Sequence, residues 1–194
     1  MDSFQYISVT SLNQSQISEI ENLRKIEYQE RYGYQLNTQN LNWNTVDQSS
    51  VHFCAFDGQK LISTLRLTVH SNKMSVENST CLPTPSGLHF PVCLLARAAT
   101  LKKYASQGIH TKLRIMAFEY ALENLIFTIL GTLELSAPRM TQLKDIGYQI
   151  LNESPDWKSS FIKPKGSVAL VGLISKPSIQ LALQSLRAQN SIST

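Results

Sequence analysis

No apolar run in this sequence approaches the ~20 residues that a helix needs to cross a bilayer. The longest runs, around Leu125–Leu130 and Val168–Ile174, suit buried strands, so no membrane span is expected. The N-terminus, MDSFQYISVT, lacks a basic start followed by an apolar stretch, so nothing points to secretion and the expected location is cytoplasmic. Cysteine is scarce. Cys54, Cys81 and Cys93 are odd in number and form no CxxC spacing, which argues against a disulfide framework and against a zinc site. No metal is expected, and the thiols read as buried or incidental. Clustered positive charge is lacking as well. Eighteen Lys and Arg against fourteen Asp and Glu leave a net charge of +4, but the basic residues are scattered, with Lys102 and Lys103 as an isolated pair. A surface that follows phosphates shows a basic stripe interleaved with aromatics, so nucleic acid is not an expected partner. The basic pI, near 9.0, does suit an acidic partner.

Hydrophobic residues make up 42% and charged residues 16% of 194 residues, enough apolar material for a core and about the length of one domain. Residues 1–194 are read as a single unit, with 177–194 as a last helix and tail. Residues 4–10 alternate as a short strand, and Ile17, Ile20, Leu23 and Ile26 then recur at near-helical spacing up to a stop at Gly33. Residues 35–50 are polar and rich in Asn and Gln, and the isolated Leu41 and Trp43 are expected to tuck this loop onto the domain, where it is placed to close over a ligand. VHFCAF, Asp57-Gly58 and LISTLRLTV read as a β-hairpin, because Gly supplies the positive φ of a tight turn. Residues 71–90, with Pro83, Pro85 and Gly87, read as a long excursion before the strand PVCLLARAAT.

Beyond it, Ile109, Leu113, Met116 and Tyr120 mark an amphipathic helix that starts near Gly108. FTILGTLEL (127–135) has the apolar continuity of a strand buried on both faces, APRMTQLKDIGY looks like a short helix ending at Gly147, and SVALVGLIS (167–175) is a second buried strand. Ser175 and Pro177 open a last helix with Ile179, Leu183 and Leu186 on one face. The order β-α-(loop)-β-β-β-α-β-α-β-β-α predicts an α/β domain with a mixed sheet and helices on both faces.

The unit LLARAATLKKYASQGIHTKL carries the clearest chemical signal. Backbone N–H groups at a helix start beside Gly108 make an anion cradle, although a plain turn into a core helix has the same residues. The hairpin, the central strand LLARAAT, YASQGIHTKL, the buried strand and APRMTQLKDIGYQIL resemble the GCN5-related N-acetyltransferase (GNAT) superfamily over roughly residues 4–175. More narrowly, LRKIEYQERYGYQL, VDQSSVHFCAF, LISTLRL and LLARAAT look like the N-acyl amino acid synthases and the autoinducer (acyl-homoserine lactone) synthases of that fold. Arg24, Asp47, Ser50, Arg66 and Arg97 stand where those families carry polar residues.

Two departures bear on the chemistry. The family's acyl-CoA loop, Gln/Arg-x-x-Gly-x-Gly/Ala, reads here Ala105-Ser106-Gln107-Gly108-Ile109-His110, so one glycine remains and His110 adds bulk where a backbone would approach a pyrophosphate. Lys102, Lys103 and Lys112 are candidates to compensate as point charges. A weakened diphosphate grip suits an acyl carrier protein, which presents phosphopantetheine without adenosine diphosphate, and acyl-CoA stays open as donor. The tyrosine that many acetyltransferases use to protonate the departing thiolate is replaced by Leu143, with Tyr104, Tyr120 and Tyr148 as substitutes; alternatively the thiolate leaves without a dedicated acid.

The resemblance implies amide formation. A neutral amine attacks a thioester carbonyl, and a backbone N–H at the bulge of the central strand (Arg97–Leu101) steadies the oxyanion. Glu134, at the end of the 127–135 strand, is the first candidate base, since partial desolvation there would raise its pKa; a solvated strand-end carboxylate is the plainer alternative. His52 and His110 are second candidates, each with a structural role as its alternative. Expected catalytic residues are thus Glu134, Arg97 and His110, and expected donor contacts are Ala99, Leu101, Lys103, Gln107, Gly108, Ile109, His110 and Lys112. Arg24, Asp47, Ser50 and Arg66 are expected at the substrate, holding a carboxylate or pairing internally to pin the 35–50 loop. Apolar residues along 91–101 and 127–133 either line an acyl channel or form ordinary core. The expected activity is transfer of an acyl group, fatty by preference, to an amine of an amino acid, polyamine or peptide side chain. The alternatives are an acetyl-CoA-dependent N-acetyltransferase and a non-catalytic acyl-thioester or protein-binding module.

Overall fold

The computed structural model of the chain describes residues 4–32, 38–158, 164 and 166–192, so the expected stop at Gly33 and the first residues of the 35–50 loop lie outside the described residues. Strand β1 (Gln5–Val9) leads into α1 (Gln14–Tyr32), and a short α2 (Thr45–Gln48) precedes the hairpin of β2 (Val51–Asp57) and β3 (Lys60–His70). Helix α3 (Lys73–Thr80) follows, then β4 (Val92–Thr100), α4 (Ile109–Glu123), β5 (Ile129–Glu134), α5 (Arg139–Asp145), β6 (Gln149–Ser154), β7 (Val168–Leu173) and α6 (Lys176–Ile192). The strands form one seven-stranded sheet in the order β1-β2-β3-β4-β5-β7-β6. Every neighbouring pair is antiparallel except β4 and β5, which are parallel. This is the expected mixed sheet with helices on both faces. Among the described residues, no helix is long and apolar enough to cross a membrane.

The hairpin turns through Gly58, whose φ of +58° is a conformation that side chains with a Cβ rarely adopt. From there β3 alternates. Leu65 and Leu67 enter the main core, with Phe53, Leu113, Phe118, Ile179 and Leu183 from β2, α4 and α6. Thr64, Arg66, Thr68 and His70 face the other way and are nonetheless all buried, an unusual fate for the polar half of an alternating strand. That second face is covered in two parts. Ile20 and Leu23 of α1 pack on Cys54, Leu61 and Ala99, while Val76 of α3 with Leu82 and Trp157 packs on Val92, Leu94, Leu130 and Leu170. The buried polar column of β3 runs between these two apolar patches.

Three expectations need correction. Ile26 is 57% exposed and leaves the buried stripe of α1, which runs through Ile20, Leu23 and Arg24. A strict spacing of three falls back about 60° per step at ~100° per residue, so Ile26 has rotated off the face that Ile20 occupies. The 71–90 excursion contains α3, capped by Asn72, whose side chain accepts from the Ser75 N–H at 3.0 Å, and closed by Cys81 at φ +55°. Only Val76 and Thr80 of its eight residues are buried, too few to show a period. Finally, β5 is buried on both faces only at Ile129 and Leu130, and beyond Gly131 it opens toward solvent. The cause is the loss of its neighbour β4.

Candidate active site

Strands β4 and β5 pair through Cys93–Ile129, Leu94–Leu130 and Leu95–Gly131, and the ladder then ends while β5 continues along β7 to Glu134. The two strands separate because β4 bends. Between the pairs Arg66–Ala96 and Thr64–Ala99, the single residue Leu65 of β3 faces two residues of β4, Arg97 and Ala98, and Arg97 takes φ +55°. This β-bulge increases local twist and turns the edge of β4 away from β5. The result is a wedge-shaped gap whose sides carry the half-buried Leu95, Ala98 and Leu101 on one strand and Leu133 and Leu135 on and beyond the other. The bulge lies within the Arg97–Leu101 stretch expected from the sequence.

Past the gap, the Leu101 N–H donates to the Ile62 carbonyl at 2.9 Å, and the chain turns through Lys102–Tyr104 into the loop ahead of α4. Ser106 and Gly108 both have positive φ, +64° and +71°. Gly108 caps α4, so the first N–H groups of that 15-residue helix face the loop without a side-chain cap. His110 sits in its first turn, half-buried. Its Nε2 accepts a hydrogen bond from the guanidinium of Arg139 on α5, which occupies the lone pair that a base would use. Lys103 lies over the Tyr104 ring at 4.4 Å, and Lys102 pairs with Glu30. Gln107 is exposed and its Nε2 donates to the Lys103 carbonyl, and Lys112 is half-buried on α4. Ile109 is buried in the main core and the Ala99 side chain in the α1 cluster.

Glu134 closes β5. Its register partner is Val168, and alternation puts its side chain on the face of Leu130 and Leu170, the face that also bears Arg66. The carboxylate is half-buried and accepts from the Ser136 hydroxyl at 3.2 Å. The substitute tyrosines are less available. Tyr104 donates its hydroxyl to Asp57, Tyr148 is buried with Arg114 over its ring, and Tyr120 meets Phe53 edge-on. Leu143, at the place of the missing acid, is part of the core.

The expected substrate residues converge. Arg24 Nη1 and Arg66 Nη1 meet the same Asp47 oxygen at 2.9 and 3.1 Å, with Arg24 and Asp47 fully shielded from solvent. Asp47 also completes the capping box of α2, its carboxylate accepting from the backbone N–H of the N-cap Asn44, whose side chain accepts from the Asp47 N–H. Ser50 joins its hydroxyl to Thr68 at 2.7 Å, and His52 Nε2 donates to the Asp47 carbonyl at 2.9 Å. The Trp43 ring stacks on His52 at 4.6 Å and lies 5.9 Å from the Arg24 guanidinium, while the Trp43 N–H donates to Glu21. The 38–50 segment is thus a strap fastened over the polar column of β3, as its two isolated apolar residues implied.

Burial would push the Asp47 carboxyl up, but the two guanidinium charges and their hydrogen bonds outweigh it and hold it below the ordinary carboxylate range. Burial pulls His52 down to about 4, helped by the charges of Arg24 and Arg66, so it is neutral near pH 7. Arg97 is pulled down to about 10, by burial first and then by the positive charge of Arg66. His70, Arg114 and Arg139 escaped the sequence reading. Arg139 reaches His110 across 29 positions, and no local pattern announces such a contact.

No protein-family model and no curated protein matches this sequence. Solved structures do. FeeM, an N-acyl amino acid synthase from uncultured soil microbes, superposes with a TM-score of 0.65 at 12% identity, over 98% of each chain. BjaI, a CoA-dependent acyl-homoserine lactone synthase solved with SAM and isopentyl-CoA, gives 0.62 at 12% identity over 95% of this chain and 90% of its own. An N-acetyltransferase from Staphylococcus aureus Mu50 gives 0.62 at 11% identity over 89% and 97%. With its splayed parallel strands, bulged β4 and glycine-capped α4, the chain has the GNAT fold shared by these N-acetyltransferases and N-acyl transfer enzymes.

Proposed function

We propose that the chain is an N-acyltransferase that moves an acyl group, fatty by preference, from a phosphopantetheine thioester to an amine. The observation that carries this reading is the gap between β4 and β5, which opens beside the Arg97 bulge on the strand that leads into the start of α4. An extended pantetheine arm fits such a gap as an extra strand would, pairing with the β4 edge that β5 has left. Its phosphate end then meets the Gly108 turn, with Gln107, Lys112 and Lys103 nearby and the Arg139 guanidinium held at the rim by His110. The donor is acyl-CoA or an acyl carrier protein, and the net charge of +4 favours an acidic carrier.

In the reaction, the lone pair of a neutral amine forms the new C–N bond at the thioester carbonyl. The oxyanion is held by backbone N–H groups between Arg97 and Leu101. The C–S bond breaks with its electrons on sulfur, the amine proton passes to Glu134 directly or through a water, and the thiolate takes a proton from solvent. Glu134 suits the role because its side chain shares the sheet face of the arginine cluster, so an acceptor approaching from that face meets it at the gap. His110, engaged by Arg139, serves the donor side instead.

Thiol release from coenzyme A and carrier-protein thioesters of graded chain length, supplied with pooled amines, tests the proposal. Long-chain donors are expected to turn over, and Glu134→Gln to lower kcat by about 10²–10⁴. Release from acetyl-CoA alone would replace the reading with an acetyltransferase, and no release with any thioester would leave a binding module.

A further inference from the structure

With Leu143 at the place of the expected tyrosine, α5 offers the departing thiolate no proton. Four tyrosines, Tyr6, Tyr104, Tyr120 and Tyr148, pack in or against the main core, on the α4 side of the sheet. Tyr28 does not. It stands half-buried on α1 and packs, with Leu101, against the cluster that α1 makes with Cys54, Leu61 and Ala99. That places its ring on the opposite face of the sheet, over the part of β4 that follows the bulge. Its phenol interacts with two guanidiniums, those of Arg97 in the bulge and of Arg66 opposite Ala96. A phenylalanine would fill the same apolar contacts, and it is the hydroxyl that brings the phenol to the arginines. The helix is tied down at this point. Glu27, one residue earlier, accepts from the Lys102 N–H at 3.1 Å, and Glu30 pairs with the Lys102 ammonium, so the last turns of α1 are fastened to the chain that leaves β4.

Two groups able to move protons therefore share one face of the sheet, Glu134 at the end of β5 and Tyr28 over the bulged end of β4. We propose that Tyr28 is a catalytic acid, its hydroxyl giving the proton to sulfur as the thioester C–S bond breaks. The proposal rests on the acyltransferase reading of the same site. The electron pair of the C–S bond goes to sulfur, the O–H bond of Tyr28 breaks and an S–H bond forms. The phenolate left behind is favoured by the neighbouring positive charges of Arg66 and Arg97 and regains its proton from solvent. Solvent thus remains the source of the proton, and the phenol delivers it. The amine proton follows its own route to Glu134.

Tyr28→Phe keeps the ring and removes only the hydroxyl. Thiol release is measured for the native chain and the variant with two donors of one acyl group, a pantetheine thioester and a 4-nitrothiophenyl thioester, under pooled amines. The alkyl thiolate needs a proton as it leaves, whereas the aryl thiolate, from a far more acidic thiol, does not. The variant is expected to lose about 10²-fold in kcat with the pantetheine donor and less than about threefold with the aryl donor, with its thermal melt and KM unchanged. Full activity of the variant with both donors would overturn the proposal. An equal loss with both would overturn it too, and would mark Tyr28 as a residue that only positions Arg97. Release by the native chain from the aryl donor alone would do the same, since the protein would then lack a working acid. If the native chain releases thiol from neither donor, the acyltransferase reading itself fails and the acid falls with it.

Discussion

Asp47 and His52 lie in one buried cluster and have pKa values lowered for different reasons, the first by paired cations and the second chiefly by burial. Both shifts act on stability in the same direction. The folded state resists protonating His52, whose ordinary value is 6.5 and whose folded value is about 4. Its contribution is therefore present above pH 6.5 and is lost as the pH falls from there toward 4. Asp47 adds a second loss below its ordinary 3.8, as pH falls toward its lowered folded value. Urea unfolding measured between pH 7 and pH 4 should show a falling midpoint, and His52→Gln should flatten the part of that fall between pH 6.5 and 4; an unchanged slope in the variant would contradict the assignment. At this scale the sequence was informative where chemistry is paired with an odd position. Arg24, Asp47, Ser50 and Arg66 were legible through a family resemblance, and Trp43 as a lone aromatic in a polar loop. The Arg139–His110 contact was not, because partners 29 positions apart are joined only by the fold.

Among the elements, periodic ones were readable and aperiodic ones were not. The alternation of β2 and β3 and the stripes of α4 and α6 follow directly from residue spacing, whereas α3 has one apolar anchor, Val76, and depends on its Asn72 cap. Strand β5 misled because apolar continuity records composition, and only topology shows that β4 departs after Leu95. Glycines in these strands give a direct test of the packing. A Cβ on Gly172 of β7 would stand 2.8 Å from Leu151, 2.9 Å from Leu130 and 3.2 Å from the Ile129 carbonyl. Leucine tips move, a strand carbonyl does not, and Gly172→Ala should cost about 1–3 kcal/mol by overpacking. Gly131 meets nothing closer than 3.8 Å, so Gly131→Ala should be neutral or slightly stabilising. Equal urea midpoints for the two variants would contradict the register of β5 against β7.

For the whole molecule, the account depends on one relation between its parts: a bulge in β4, the strand that leads into α4, opens a gap toward β5, with the buried polar column of β3 on the adjoining face. Fold class and the element order apart from α2 and α3 were readable from the sequence, as was the stretch containing the bulge. The gap itself was not, since it is defined by hydrogen bonds that two strands do not make. Hydrogen–deuterium exchange with a non-hydrolysable S-alkyl coenzyme A or S-alkyl phosphopantetheine, at concentrations where calorimetry registers binding, tests this relation most directly. Slowed exchange is predicted at residues 96–101, 105–110 and 131–134, with little change along β1 and α1. Binding accompanied by protection elsewhere, with these three segments unaltered, would contradict the central claim that the thioester lies between β4 and β5.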